Sequence, residues 1–149
     1  MEEAKMDKKD AGKFTKGDFI MMGDKPCKVV KTAKAKPGKH GSAKAIITAV
    51  GVLDDKKVEK TFGTSDGVDV PSMVRTEYPC LGLEGEFLQL QQEDGGMRED
   101  VKFGLQDSVK EVNENIKKFL ENDTPILVTV LNCNGEEVPV AVREDNLDI

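Results

Sequence analysis

Short apolar stretches, each bounded by glycine, proline or aspartate, fill the first half of this 149-residue chain. Apolar residues show no helical period across residues 14–70, so this part of the chain predicts strands. Several short strands at such close spacing are typical of a small barrel or of two paired sheets. The predicted strands are residues 19–22, 28–30, 45–53, 58–62 and 68–70.

The second half predicts three strands, one helix and two further strands. The helix is expected over residues 108–122, where Ser108 and Glu111 have the spacing of a capping box. A helix between the third and fourth of five strands is the pattern of an OB-fold barrel. The strands are 76–83, 86–91, 97–103, 126–133 and 137–143, and the apolar stripe of the helix, expected to pack in the core, is Val109, Val112, Ile116, Phe119 and Leu120.

A domain boundary is predicted at residues 69–72, because Pro71 ends a strand there and the charge balance changes sign. Residues 1–71 contain 15 basic and 11 acidic residues, a net charge of +4, whereas residues 72–149 contain 7 and 17, a net charge of -10. We therefore predict two domains, 14–71 and 72–149. Residues 1–13 are expected to be a disordered tail, because charged residues dominate there.

The three cysteines, Cys27, Cys80 and Cys133, are dispersed along the chain without a Cys-x-x-Cys pair. We expect them to be reduced core residues, since the single histidine cannot complete a zinc site. The chain contains no secretory signal, and its longest apolar run, residues 45–53, is too short to span a membrane. We therefore expect a soluble cytoplasmic protein with no membrane partner.

The densest basic segment lies between two predicted strands. Residues 25–53 contain seven lysines and no acidic residue, in a chain whose net charge is -6. Gly38 and Gly41 bracket Lys39 and His40, and glycine adopts positive φ readily, so a β-hairpin tip that presents Lys39 is predicted. Such a concentration of lysines indicates contact with phosphates, although a solvated loop fits the composition equally well. The lysines are Lys25, Lys28, Lys31, Lys34, Lys36, Lys39 and Lys44.

A phosphate-binding nucleotide loop is a poor fit to the same segment. Such a loop needs a glycine five residues before the Gly-Lys pair and a hydroxyl directly after the lysine. The chain has Ala33 and His40 at these positions. His40 has no nucleophile or orienting carboxylate near it in sequence, so we expect a partner to contact it and we expect no enzymatic activity.

The string Lys-Pro-Gly-Lys-His-Gly-Ser-Ala-Lys at residues 36–44, with the motifs at residues 25–30, 69–71 and 97–100, resembles the eukaryotic translation initiation factor five-A family. That family is related to bacterial elongation factor P. The resemblance covers residues 14–142 in collinear order. This chain departs from the family at Pro37, where a small polar residue is usual, and at Ser42, where a second histidine is usual.

The resemblance implies an N-terminal SH3-like barrel, a C-terminal OB-fold barrel with one helix, and a modified lysine. In the family, deoxyhypusine synthase transfers an aminobutyl group from spermidine to the lysine that corresponds to Lys39, and deoxyhypusine hydroxylase completes hypusine. No other cofactor is implied. The residues implied to contact the ribosome and tRNA are Lys34, Lys36, Gly38, His40, Gly41 and Lys44.

The function implied by the resemblance is positioning of peptidyl-tRNA on the ribosome by modified Lys39. This would promote peptide bond formation at stalling sequences such as proline runs, and would aid termination. Contact with ribosomal RNA is expected from the basic hairpin, because the acidic second half lacks the positive groove and aromatic platforms of a strand-binding OB fold. The alternatives are an unmodified RNA-binding module, in which all seven lysines are interchangeable, and a self-assembling structural protein.

Overall fold

The computed structural model describes residues 7–36 and 43–146, and the chain divides into two compact units after Ser72. Within the described residues, both units are built almost entirely of β-strands, with a single α-helix in the second. These features confirm the mostly β fold class predicted from the sequence. The three cysteines are buried thiols, as predicted.

Unit 1 contains a four-stranded antiparallel sheet and a two-stranded sheet. The order in the larger sheet is β2-β3-β4-β5, and β1 pairs with β6. Apolar residues from alternating positions meet in one core, in which Ile20, Cys27 and Ile47 are completely buried. The strands are β1 (Asp7–Asp10), β2 (Phe19–Met22), β3 (Lys25–Ala35), β4 (Lys44–Gly51), β5 (Lys57–Gly63) and β6 (Gly67–Val70).

Residues 7–13 show that the predicted disordered tail is wrong for this segment. Strand β1 pairs with β6 from Asp7↔Val70 to Asp10↔Gly67, and a 3-10 turn follows at Ala11–Lys13. Ala11 is buried in the core and its N–H donates to the carbonyl of Asp66 at 2.8 Å. Backbone pairing and one small buried side chain order the segment, which is why its charged composition was misleading. The remaining tail, residues 1–6, lies outside the described residues.

Unit 2 contains a five-stranded antiparallel sheet in the order β11-β10-β7-β8-β9. Helix α1 (Lys110–Glu121) lies between β9 and β10 in the chain, as the OB-fold prediction requires. Strand β10 has the predicted bounds, whereas β7 begins three residues earlier than predicted. The strands are β7 (Met73–Glu84), β8 (Phe87–Gln91), β9 (Met97–Lys102), β10 (Ile126–Cys133) and β11 (Glu136–Glu144).

Helix α1 packs its apolar stripe into the core of unit 2, as predicted. Ile116 is completely buried, and Val112, Phe119 and Leu120 pack around it. The helix begins at Lys110, two residues later than predicted: a 3-10 turn at Asp107–Val109 precedes it, and Val109 is its N-cap residue in place of the predicted Ser108. Val109 is buried, at 5% exposed. No helix among the described residues is long and apolar enough to cross a membrane.

Candidate functional site

The lysine-rich segment forms an antiparallel hairpin of β3 and β4, as the sequence predicted. Pairing continues outward to Ala35↔Lys44, after which Lys36 and Ala43 are the last described residues on the two sides. The six residues between them lie outside the described residues. They include the predicted site residues Gly38, Lys39, His40 and Gly41.

The outer part of β3 is exposed on both of its faces. Every residue from 30 to 36 is exposed, including Val30 at 37%. Strand β2 pairs with β3 only from Lys25 to Lys28, so the outer part of β3 has one paired edge, formed by β4, within the described residues. On β4 the opposing Ala45 and Ile47 are buried. The outer part of β3 is therefore accessible from two faces and one edge.

A β-bulge at Val30 decides which way each lysine points. Val29 is opposite Ala49, and Lys31 is opposite the next residue, Thr48, so Val30 is an extra residue in β3. Side chains alternate between the two faces of a strand, and an extra residue reverses that alternation. Lys31 therefore shares a face with Thr48, whereas Lys34 shares the opposite face with buried Ala45.

Two lysine faces follow from this register. Because Ile47 and Ala49 point into the core, the face that holds Thr48 points outward, and we call it the outer face. The other is the core-side face, whose β4 residues Ala45 and Ile47 are buried in the core. The outer face holds Lys28, Lys31, Lys44 and, from β5, Lys57; the core-side face holds Lys34 and, from β5, Lys60.

Lys57 and Lys60 were not among the predicted site residues. They lie beyond the acidic residues at 54 and 55, outside the lysine-rich window. The register of β5 with β4 brings Lys57 opposite Val50 and Lys60 opposite Ile47. Residues 57 and 60 have opposite parity in β5, so the sequence indicates that the two lysines point to opposite faces of that strand. Only the pairing of β5 with β4 shows which face of the hairpin each lysine shares.

Among the described residues of unit 1, the lysines of the two faces have no ion-pair partner. All six are exposed. By contrast, Lys25 bonds to Asp54 with an Nζ–Oδ2 distance of 2.6 Å, and this bond lowers the pKa of the Asp54 carboxyl. Lys25 is thus engaged by an acidic residue that lies just outside the window counted in the sequence. The remaining hairpin amines are available to bind anions.

The outer face contains one acidic side chain in this register. Glu59 is opposite Thr48, and the Thr48 hydroxyl donates to its Oε1 at 3.3 Å.

The cleft of unit 2 is acidic. It has a volume of about 650 Å³, and its lining includes Glu77, Glu93 and Asp94. Carboxylates there would repel phosphate, so the hairpin is the better candidate for contact with a polyanion. Among the described residues, no cluster of His, Cys, Asp and Glu has the arrangement of a metal site.

Comparisons with known proteins identify the same two regions. Residues 5–66 match the family model "Translation initiation factor 5A-like, N-terminal", and residues 73–143 match "Eukaryotic elongation factor 5A hypusine, DNA-binding OB fold". Eukaryotic translation initiation factor 5A of Zea mays is 33% identical over 135 residues, which is 90% of this chain and 82% of the relative. Factor 5A-1 of Saccharomyces cerevisiae is 30% identical over 87% of this chain and 80% of the relative.

Solved structures agree with these matches. An initiation factor 5A family protein from Naegleria fowleri superposes with a TM-score of 0.85 at 33% identity, covering 94% of this chain and 99% of that one. Factor 5A from Methanococcus jannaschii gives a TM-score of 0.72 at 22% identity, over 96% and 98% of the two chains, and supports the fold alone. The two family models and relatives of at least 30% identity together show that this chain is a translation factor of the initiation factor 5A family.

Proposed function

We propose that this factor acts in the cytoplasm by binding the ribosome beside peptidyl-tRNA and directing modified Lys39 toward the tRNA acceptor end at the peptidyl-transferase centre. Lys39 is the proposed acceptor of the spermidine-derived aminobutyl group, added by deoxyhypusine synthase and completed by deoxyhypusine hydroxylase. Lys34, Lys36 and Lys44 would contact RNA phosphates, and Gly38, His40 and Gly41 would shape the presentation of Lys39. The proposal rests chiefly on the exposed lysines that flank the Lys39 segment and that form no ion pair with a described residue.

The physical role of the factor would be positioning and not catalysis by its own side chains. Contacts to phosphates fix the register and orientation of a nucleic acid without reading its sequence. A cationic side chain held at the end of two paired strands would reduce the entropic cost of orienting a poorly reactive peptidyl-tRNA. This effect would be largest at slow peptide bonds, such as those in proline runs, and would also aid termination.

Substitution of Lys39 by arginine tests this proposal. Arginine keeps the positive charge, but its guanidinium is not the primary amine that the modification requires. We expect Lys39→Arg protein to lack the added mass, to fold normally and to fail to support synthesis of a polyproline-containing reporter in cells depleted of the factor. Lys34→Arg is the matched control, since the same change on β3, five residues before Lys39 in the sequence, should retain both modification and rescue.

The two alternatives make different predictions for the same variants. If the hairpin acts only through summed charge, Lys39→Arg should rescue the reporter as fully as Lys34→Arg does, and the proposal would be replaced by an unmodified RNA-binding module. If the chain is a structural protein, sedimentation should show concentration-dependent assembly in the absence of RNA. Intact mass of the protein purified from its own host decides whether Lys39 is modified.

A further inference from the structure

We propose that RNA lies along the outer face of the sheet formed by β3, β4 and β5, and that three further lysines on this face bind its phosphates. This inference rests on RNA being the partner, as in the proposed function, and adds which side of the sheet the RNA contacts. The three lysines are Lys28, Lys31 and Lys57. They extend the contact from Lys44, where the paired strands end, to the opposite end of β4.

The bulge at Val30 brings two of these lysines onto the same face. In a regular strand, residues three positions apart point to opposite faces, because side chains alternate. The extra residue changes this, so that Lys28 lies opposite Val50. Lys31 lies opposite Thr48, two residues from Val50 and on the same face of β4. Both lysine side chains therefore leave the sheet in one direction, at positions about 7 Å apart along β4 at ~3.4 Å per residue.

Strand β5 adds the third lysine. Lys57 is opposite Val50 on the side of β4 away from Lys28, so the two lysines flank a single β4 residue. Neighbouring strands lie ~4.8 Å apart, so the outer face is about 10 Å wide from β3 to β5. Lys44 and Val50 are six residues apart on β4, which makes the face about 20 Å long at ~3.4 Å per residue. A strand of a duplex carries one charge per ~3.4 Å of axis, so this face is long enough for several phosphates.

Positive charge dominates the outer face. Among the paired positions of β3, β4 and β5, this face has four lysines and one acidic residue, Glu59. The Glu59 carboxylate accepts a hydrogen bond from the Thr48 hydroxyl at 3.3 Å. Neither Glu59 nor any of the four lysines forms an ion pair with a described residue. The lysine amines are therefore available to phosphates, and their binding releases the counterions of the RNA.

The core-side face does not offer an equivalent surface. Its β4 residues Ala45 and Ile47 are buried in the core. Its lysine on β5, Lys60, lines a cleft together with Asp66 and Asp69, so carboxylates share the surroundings of that amine. We therefore expect RNA to pass over the outer face of β4 and β5 and not over their core-side face.

Protection of a sheet edge is the competing explanation for the lysines of β5. Strand β5 is an edge strand of its sheet, and lysine on an edge strand hinders pairing with other chains. Lys28, however, is paired with residues of both β2 and β4, and Lys44 is paired with residues of both β3 and β5. Edge protection also gives Lys57 and Lys60 the same role, whereas RNA on the outer face distinguishes them.

Single neutral substitutions on β5 test the inference with equal loss of charge. Lys57→Gln removes an amine from the outer face, and Lys60→Gln is the matched control, since both lysines are exposed on the same strand. Glu59→Gln removes the acidic group of the outer face and keeps an oxygen that can accept the bond from Thr48. Affinity of the full-length factor for ribosomal RNA is measured over a series of salt concentrations, with circular dichroism to verify folding.

We expect Lys57→Gln to make the slope of log K against log salt shallower by about 0.7–0.9, the value for one lost phosphate contact, and Lys60→Gln to leave it unchanged. Adding Lys28→Gln and Lys31→Gln to Lys57→Gln should raise the loss to about 2.1–2.7. Glu59→Gln should raise the affinity, because it removes a negative charge from beside the phosphates. Equal losses for Lys57→Gln and Lys60→Gln would mean that only net charge matters and would overturn the inference, as would an unchanged slope for Lys57→Gln.

Site-specific crosslinking separates a failure of this inference from a failure of the proposed function. A photoreactive amino acid is placed at position 44, 57 or 60 of the full-length factor, the factor is bound to ribosomes and irradiated, and the crosslinked RNA is sequenced. We expect RNA crosslinks from positions 44 and 57 and none from position 60. Crosslinks from position 44 but not from position 57, or from position 60 as well as position 57, would overturn this inference and leave the proposed function intact. The absence of RNA crosslinks from all three positions would overturn the proposed function itself.

Discussion

Replacement of Arg98 by methionine tests how unit 2 closes. Arg98 on β9 donates from Nη2 to Oε1 of Glu137 on β11 at 2.6 Å, and from Nη1 to the hydroxyl of Tyr78 on β7 at 3.0 Å. Strands β9 and β11 are the two edges of the five-stranded sheet, so this side chain joins its ends. Arg98 also bonds to Asp100, which lowers the pKa of that carboxyl.

The size of the effect follows from burial. The Arg98 side chain is 16% exposed and that of Glu137 is 23% exposed, so water weakens their bond only in part. Loss of a hydrogen bond to a charged group costs ~1.5–3 kcal/mol, and Glu137 regains some hydration in the variant, so we expect a loss of about 2 kcal/mol. For a domain of 60–100 residues this lowers Tm by roughly 8–16 °C. Methionine retains most of the aliphatic contact, which limits the change to the polar group.

The chain contains its own probe for this measurement. Tyr78 is the single tyrosine and there is no tryptophan, so intrinsic fluorescence during heating reports the unfolding of unit 2. Arg143→Met is the matched control, because Arg143 holds Glu77 by two bonds of 2.8 and 2.9 Å but its side chain is 60% exposed. Solvent screens such a pair, so its midpoint should scarcely change. Equal shifts for the two variants would refute the argument from burial.

Three further outcomes are expected. Gly104→Ala should destabilise unit 2 by about 1–3 kcal/mol in urea unfolding, because a Cβ there would lie 2.7 Å from Cγ2 of Val138. Gly82→Ala should lower the free energy of unfolding by less, because its Cβ would meet the flexible end of the Gln89 side chain. The three buried cysteines should resist alkylation in the native protein and react after denaturation, since burial also raises the pKa of two of the thiols. The pKa of Asp18 is lowered chiefly by the bond from Lys9, at 2.9 Å, so its stabilisation is present above pH ~4 and is lost as the pH falls through the depressed pKa. Asp18→Asn should therefore lower Tm at pH 7, and its difference from the parent should shrink as the pH falls below ~4; a constant difference would contradict this.

Most strands could be predicted because their sequences are locally unambiguous. Strand β10 is an apolar run bounded by turn residues, and its observed limits are the predicted ones. Two predictions differ from the structure. Residues 7–13 are ordered by pairing with β6 and by the bond from the Ala11 N–H to Asp66, contacts distant in sequence that local composition does not contain. The helix begins at Lys110 after a 3-10 turn at Asp107–Val109, two residues later than local spacing predicted.

The sequence by itself determined the order of strands β2–β11, the opposite charges of the two halves and the hairpin that flanks Lys39, because periodicity, turn residues and net charge are local properties. Only the tertiary structure decided which lysines are available and where they point. Asp54 folds back onto Lys25 and neutralises it. The bulge at Val30 reverses the alternation of β3 and places Lys31 and Lys34 on opposite faces. Side chains in a strand alternate with a period of two, so one extra residue, visible only in the pairing of β3 with β4, exchanges the faces of every lysine beyond it.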